Sequence, residues 1–426
     1  MEVKTIENLI QTLNQVNWDF SDYNSAKYPL DINSIPWYPA TFPTPIPKFL
    51  IGLLSEVGDI VLDPFGGKGT TAVEAIKLNR RFYYNDLNPF AVDITKAILQ
   101  AIKSCNLERA AIEQIINSDK KTCVCSPRTC IENEYEGKEE EKVMANCPEY
   151  IFNDLKDLGI DKDVVFWYHI DTLIELISLF KQMLRENSDS DGCMIRKFAF
   201  VSILKQMCSQ RGHFTYVTDN CRPKKLVYYN AISAYFSILE RINLSSLDLI
   251  KQFSTINETG DLTSLIADSV IQSGDARRLS YVNDNSIDFV LTSPPYLCAQ
   301  DYVKTMRLTN LFFPDKIFGE RAPNEIGSRS KRHSNAEVVV TNFYSDMDKV
   351  FSEIERVLKP EKYFCLIIGQ GKGKITESYD TIDDLTKLVI NKYGFSKIFY
   401  TERKIGYKTV RVGGVDNETV IVFRKN

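Results

Sequence analysis

Val57-Gly-Asp-Ile-Val-Leu-Asp-Pro-Phe-Gly-Gly-Lys-Gly-Thr-Thr71 is the stretch that decides the fold. A short apolar run ends in an acid at Asp63, a glycine turn follows, and Thr71-Ala-Val-Glu-Ala-Ile-Lys-Leu78 has the composition of a helix. Arg81-Phe-Tyr-Tyr-Asn-Asp86 is then a second strand with a second acid at its end. Strand, short helix and strand within about 30 residues is the rhythm of a parallel sheet.

The rhythm returns far downstream. Val270-Ile-Gln-Ser-Gly-Asp275, Ile287-Asp-Phe-Val-Leu-Thr292 and Tyr363-Phe-Cys-Leu-Ile-Ile-Gly369 read as buried strands, and Ser396–Arg403 with Glu418–Arg424 as a closing antiparallel pair. Tyr344–Leu358 reads as a helix that stops at Pro360. Between the two sheet regions the apolar spacing is helical: Ile170, Leu173, Ile174, Ile177, Phe180 and Leu184 share one face, and Ile195–Met207 and Val227–Leu249 follow the same period. Glu132–Asp163 carries eleven acids against four Lys and reads as a solvated or mobile surface segment. The expected architecture is α/β: a Rossmann-like, mostly parallel sheet with a closing antiparallel pair, formed by 1–103 and 266–426 and interrupted by a mainly helical insertion at 104–265.

Composition bounds the function. The 426 residues are 44% hydrophobic and 25% charged, which excludes a disordered or fibrous chain. Lys and Arg number 52 against 56 Asp and Glu, so net charge gives no global sign of a nucleic-acid partner. No run of about 18 apolar residues occurs, and Met1–Asn14 lacks the pattern of a secretory signal. The ten Cys then read as reduced thiols of a cytoplasmic protein without a membrane partner.

A glycine turn between strand and helix lets a ligand approach the backbone closely. A phosphate-binding loop would need Ser or Thr after Lys68, where Gly69 stands. A dinucleotide fingerprint is formally met by Gly67, Gly69 and Ala72, but the acid before the turn is no part of it. S-adenosylmethionine accounts for all the features. Its ammonium group wants a carboxylate at the strand end (Asp63), its body a small-residue turn (Gly66, Gly67, Gly69), and its ribose an acid closing the next strand (Asp86).

Thr292-Ser-Pro-Pro-Tyr296 follows an apolar strand, at the end where open α/β sheets place ligands. Two prolines remove two backbone donors and stiffen the chain. What remains is a ridge of carbonyl acceptors beside a hydroxyl and an aromatic face, which suits an exocyclic amine. Ser293 and the Pro294 carbonyl each accept one amine hydrogen, Pro295 holds the ridge rigid, and Tyr296 stacks on the ring that carries the amine.

Together, the glycine loop and Ser-Pro-Pro-Tyr resemble the cofactor and catalytic motifs of DNA methyltransferases that modify exocyclic amines. Tyr38-Pro-Ala-Thr-Phe-Pro43 resembles the segment leading into that family's cofactor loop, Asn85-Asp-Leu-Asn-Pro89 its ribose-binding turn, and Gly274-Asp-Ala276 its adenine-contacting turn. The resemblance covers about 38–98 and 270–375. It implies S-adenosyl-L-methionine as cofactor, held by Thr41, Phe42, Asp63, Phe65, Gly66, Gly67, Gly69, Thr70, Asp86, Asn88, Asp275 and Ala276. It also implies double-stranded DNA as partner, a base turned out of the stack onto Tyr296, and a restriction–modification or defence setting with a cognate component. Ser at the first catalytic position is commoner in the family's cytosine-N4 enzymes than in its adenine-N6 enzymes, so N4-cytosine is the expected target. Adenine N6, an RNA amine, or a binding subunit without catalysis are the alternatives. Methylation at cytosine carbon-5 needs a Cys after Pro, and no Pro-Cys pair occurs.

Arg196–Lys225 is the most basic segment, seven Lys or Arg against one acid, and its Arg211, Arg222, Lys224 and Lys225 are candidate DNA contacts. A second basic loop after the tetrapeptide adds Arg329, Lys331 and Arg332. Cys123, Cys125, Cys130 and Cys147 lack the paired spacing of structural zinc sites, so no metal is assigned.

Overall fold

The computed structural model describes residues 5–20, 23, 27–36, 38, 41, 43–122, 144, 147–187, 190–210, 222–223, 225–258, 260–299, 305–314, 324–328, 335–371, 375–405 and 415–426. Among them, one sheet runs β3-β2-β1-β4-β5-β7-β6. Its strands are β1 (Ile60–Asp63), β2 (Arg81–Asp86), β3 (Val270–Ser273), β4 (Ile287–Thr292), β5 (Leu358–Gly369), β6 (Ser396–Lys404) and β7 (Asn417–Arg424). β7 pairs antiparallel with β5 and β6, and the other pairings are parallel.

Helices α1 (Ile6–Asn14) and α2 (Pro45–Leu54) precede β1, and α3 (Thr70–Lys77) connects β1 to β2. After β2 come α4 (Pro89–Leu107), α5 (Ala111–Thr122), α6 (Glu149–Asp157), α7 (Ile170–Met183), α8 (Asp191–Met207), α9 (Ala231–Ile256) and α10 (Leu262–Ala267). α11 (Arg307–Phe312) and α12 (Ala336–Val357) lie between β4 and β5, and α13 (Thr381–Tyr393) between β5 and β6.

Side chains two apart share a face of a strand, and the sheet sorts its apolar residues accordingly. Val61, Leu291, Cys365, Ile367, Val420 and Val422 face α2–α4. Leu62, Val290, Leu366, Ile368, Ile421 and Phe423 face α12 and α13. Cover on both faces explains why the central strands read as unbroken apolar runs. The first core continues past α4 into α7–α9 through Ile98, Ile102, Phe200, Leu239 and Ile242, so helical block and sheet share one interior.

From β1 the chain builds outward through β2 and β3 on one side, and through β4 and β5 on the other. The reversal opens a crevice at the carboxyl ends of β1 and β4, the usual ligand position in such sheets. The loops after β2, β3 and β5 reach the same edge, as does the amino end of the antiparallel β7.

Two expectations need correction. β5 starts at Leu358, five residues before the apolar run, because Leu358 pairs with Ile287 and the next pair is Tyr363 with Phe289. Pro360 sits exposed in the unpaired stretch, where its missing N–H costs no ladder bond. The described end of the acidic segment is ordered: α6 buries Ile151 and Leu155 at four-residue spacing. Its acids occupy the outer face of a packed helix. Among the described residues, no helix is long and apolar enough to cross a membrane.

Candidate active site

Asp63 closes β1 and is buried. Its Oδ2 accepts from Thr71 Oγ1 on α3 at 2.7 Å, and its Oδ1 from Thr292 Oγ1 on β4 at 2.7 Å and from the Phe65 amide at 3.1 Å. One carboxyl therefore ties β1, α3 and β4 together behind the crevice. Burial pushes its pKa up to about 6, against the pull of these hydrogen bonds.

The glycine loop packs against β2. Gly66 donates to the Asn85 carbonyl at 2.9 Å, and a Cβ there would lie 2.2 Å from the Tyr84 ring. Gly69 has φ 84° and is the N-cap just before α3; a Cβ on it would meet Thr95 at 2.7 Å. These two positions require glycine, by close approach and by left-handed backbone. Thr70, at the start of α3, is buried with its hydroxyl unbonded.

Asp86 ends β2 and braces the loop. Its Oδ2 accepts from the Gly67 amide at 2.8 Å and its Oδ1 from the Asn88 amide at 2.7 Å. Burial pushes its pKa up to about 6 as well. Two backbone hydrogens leave an ionised carboxylate with further acceptor capacity. Asn88 caps α4 through the Phe90 amide at 3.0 Å and donates to the Tyr38 hydroxyl at 3.1 Å. After β3, Asp275 is gripped by the Arg277 guanidinium, whose Nε lies 2.9 and 3.1 Å from its two oxygens; these contacts lower its pKa against burial, the largest opposing influence.

At the end of β4, Ser293 Oγ lies 3.1 Å from the Tyr296 hydroxyl, which donates to Glu418 Oε1 at 2.9 Å. Pro294 is buried, while Pro295 and Tyr296 are part-exposed.

One cavity joins these pieces. Its wall includes Phe65, Gly67, Asp86, Asn88, Asp275 and Ala276 from the expected cofactor set, and Ser293 and Pro295 from the tetrapeptide. Asp63, Gly66, Gly69 and Thr70 stand behind the wall, and Thr41 is exposed outside it. Phe42 lies outside the described residues. The expected site residues leave out Tyr38, Pro64, Leu87 and the stretch Asn324, Glu325 and Ile326, which complete the wall. Tyr38 opens the quoted Tyr38–Pro43 segment and was within reach, whereas 324–326 carry no local signal. A larger cavity of about 860 Å³, between 20–32, α2, α3 and α9, takes in none of the motif residues.

The basic segment divides in two. Arg196 is internal, held by Asp119 at 2.8 Å and Glu186 at 2.7 Å, and Lys197 pairs with Asp93 at 2.6 Å. Arg222 lies 4.1 Å over the Phe166 ring, and Lys225 is exposed. Arg211, Lys224, Arg329, Lys331 and Arg332 lie outside the described residues, as do Cys123, Cys125 and Cys130. Burial pushes the Cys147 thiol up to about 11.

Residues 4–97 match a family model described as DNA methylase, of the N6/N4 type. The chain is 23% identical over 410 residues to the Type II methyltransferase M.MvaI of Kocuria varians, covering 87% of this chain and 83% of that one. It is 24% identical to M.BsoBI of Geobacillus stearothermophilus, covering 71% and 57%. A 62-residue stretch is 42% identical to M.BglII of Bacillus subtilis, covering 15% and 17%. A solved SAM-dependent methyltransferase of Methanosarcina mazei aligns at 13% identity over 42% of this chain and 77% of that one, with a TM-score of 0.20 that adds nothing to the strand order.

Proposed function

From a chain related to the DNA methylases of exocyclic amines, we propose an enzyme that transfers a methyl group from S-adenosyl-L-methionine to cytosine N4 in double-stranded DNA. The observation that carries this reading is one cavity bounded both by the glycine loop with Asp86 and by Ser293 and Pro295. A cofactor site and Ser293 of the amine-accepting ridge share that space.

The wall suits the cofactor. Asp86 keeps acceptor capacity for ribose hydroxyls, the glycine loop admits a ligand against its backbone, and Phe65 and Ala276 offer apolar surface. When bound, the cofactor supplies an electrophilic methyl group. The chain's part is positioning and electrostatics. A base amine is a poor nucleophile because its lone pair is delocalised into the ring. Accepting its two hydrogens at Ser293 Oγ and the Pro294 carbonyl draws the nitrogen toward tetrahedral geometry and frees that pair. Tyr296 replaces the stacking lost when the base leaves the duplex, a loss of a few kcal/mol.

The helical block with its basic segment is the proposed DNA-contacting region, and a restriction–modification or defence system in the cytoplasm the proposed setting. The test is incubation with methyl-labelled S-adenosylmethionine and unmodified DNA, then digestion to nucleosides and mass analysis. Label on N4-methyldeoxycytidine is expected. Label on deoxyadenosine alone overturns the cytosine assignment; no transfer to DNA with transfer in a parallel incubation with RNA overturns the DNA substrate, and no transfer to either overturns the whole reading.

A further inference from the structure

Tyr296 is held by its hydroxyl, and what holds it comes from the far side of β5. Glu418 is the second residue of β7, and the register sets it beside Gly369 of β5 on one side and Arg403 of β6 on the other. Between β4 and β7 the Tyr296 side chain crosses β5 where that strand has no side chain. A Cβ on Gly369 would fall 2.9 Å from Tyr296 Cε2. Glu418 Oε1 accepts the phenol at 2.9 Å, while its Oε2 is ion-paired with Arg403, whose Nε donates to the Trp18 carbonyl at 3.0 Å. Both carboxylate oxygens thus have fixed partners.

This fixes the direction of the next hydrogen bond. A phenol has one hydrogen to donate, and a carboxylate only accepts. With that hydrogen on Glu418, the 3.1 Å contact between Ser293 and Tyr296 is made by the Ser293 hydroxyl hydrogen. Ser293 Oγ is left with lone pairs and no hydrogen to direct at the cavity. We propose that Glu418 is a positioning residue which, through the Tyr296 hydroxyl, makes Ser293 an obligate acceptor toward the substrate amine. The proposal rests on the methyltransferase reading above. Without an acceptor at 418 the phenol can donate to Ser293, and the serine hydrogen then turns toward the amine, a donor facing a donor.

Glu418→Gln tests this in the full-length protein. Its amide oxygen stays with the donor-only guanidinium, so its NH2 faces the phenol and reverses the chain of donors. We expect kcat for methyl transfer to unmodified DNA to fall roughly 10–100-fold, less than the about 100–1000-fold lost when a hydrogen-bonding group at a reacting atom is removed outright, because Ser293 keeps its lone pairs. KM for S-adenosylmethionine and its calorimetric affinity should hold, because Glu418 does not line the cofactor cavity. The deciding measurement is the double variant with Tyr296→Phe. Without the phenol oxygen the signal has no route, so the double variant should turn over within about twofold of Tyr296→Phe alone. Losses that multiply would mark Glu418 as a mere support for Arg403 and overturn the proposal. Should Glu418→Gln fail to fold, Glu418→Asp keeps the charge beside Arg403 but draws it back from the phenol, and the same cycle applies. A wild-type protein that transfers no methyl group brings down the methyltransferase reading and this proposal together. An active wild type with multiplying losses brings down only the proposal.

Discussion

Asp63 and Asp86 end adjacent strands, and burial pushes both carboxyls up to about 6. An unfolded Asp titrates near ~3.9. Between about pH 4 and 6 the folded chain therefore keeps protons that the unfolded chain sheds, and these two groups subtract stability as pH rises through that window. Binding runs the other way, because ribose hydroxyls donate to the ionised form of Asp86. Cofactor affinity should be level near neutral pH and fall about tenfold per unit below about pH 6. Calorimetry across that range checks this, and a slope that persists in Asp86→Asn would assign it to another group. Asp86→Ala should lose the charge-assisted hydrogen bonds outright, about 1.5–3 kcal/mol of cofactor affinity; unchanged affinity would remove Asp86 from the site. Gly369→Ala should lower turnover and spare cofactor binding, since the added carbon would fall 2.4 Å from Val415 Cγ1 and 2.9 Å from Tyr296 Cε2 and so displaces the ring together with the start of β7; a steady-state assay beside calorimetry separates the two effects. Asp86, Ser293 and Tyr296 were legible in the sequence because motif spacing marks them. Glu418 was not, because its role depends on lying two strands away from Tyr296 across a glycine.

Among the elements, the sheet was the most legible part. β2 and β4 fall at the residues read from the sequence, since strands covered on both faces become apolar runs with abrupt ends. The start of β5 escaped because its first pair precedes a bulge that holds a proline. The basic segment teaches a different lesson: a charge count cannot tell a phosphate contact from an internal ion pair. Arg196 and Lys197 lie on the packed helix α8 with acids from α5 and α4, so any DNA contact falls to the residues that follow. Changing Arg222, Lys224 and Lys225 together to Ala should weaken DNA binding and flatten its salt dependence by up to ~0.9 in log–log slope per lost phosphate contact. Fluorescence anisotropy over a salt series reads this, and an unchanged slope would leave the face solvated.

At the scale of the whole molecule, the expected insertion and the sheet share one apolar interior, with α4 as the layer between them. Calorimetric unfolding should therefore give one transition, and a chain lacking 104–265 should be insoluble, its α4 surface stripped of α8 and α9. Two separated transitions would show that the block folds alone. The neighbour relation of β1 and β4 also sets a timetable. Asp63 and its partner Thr292 are 229 residues apart, and Tyr296 and Glu418 another 122. At about 5–20 residues per second, a ribosome takes roughly 10–50 s to travel from the first strand to the one that must lie beside it. Until then the nascent chain carries an open strand edge and a glycine loop with nothing opposite it. Assembly of this centre is thus a late event in biosynthesis, and slower translation prolongs the interval in which the emerging chain needs protection from aggregation.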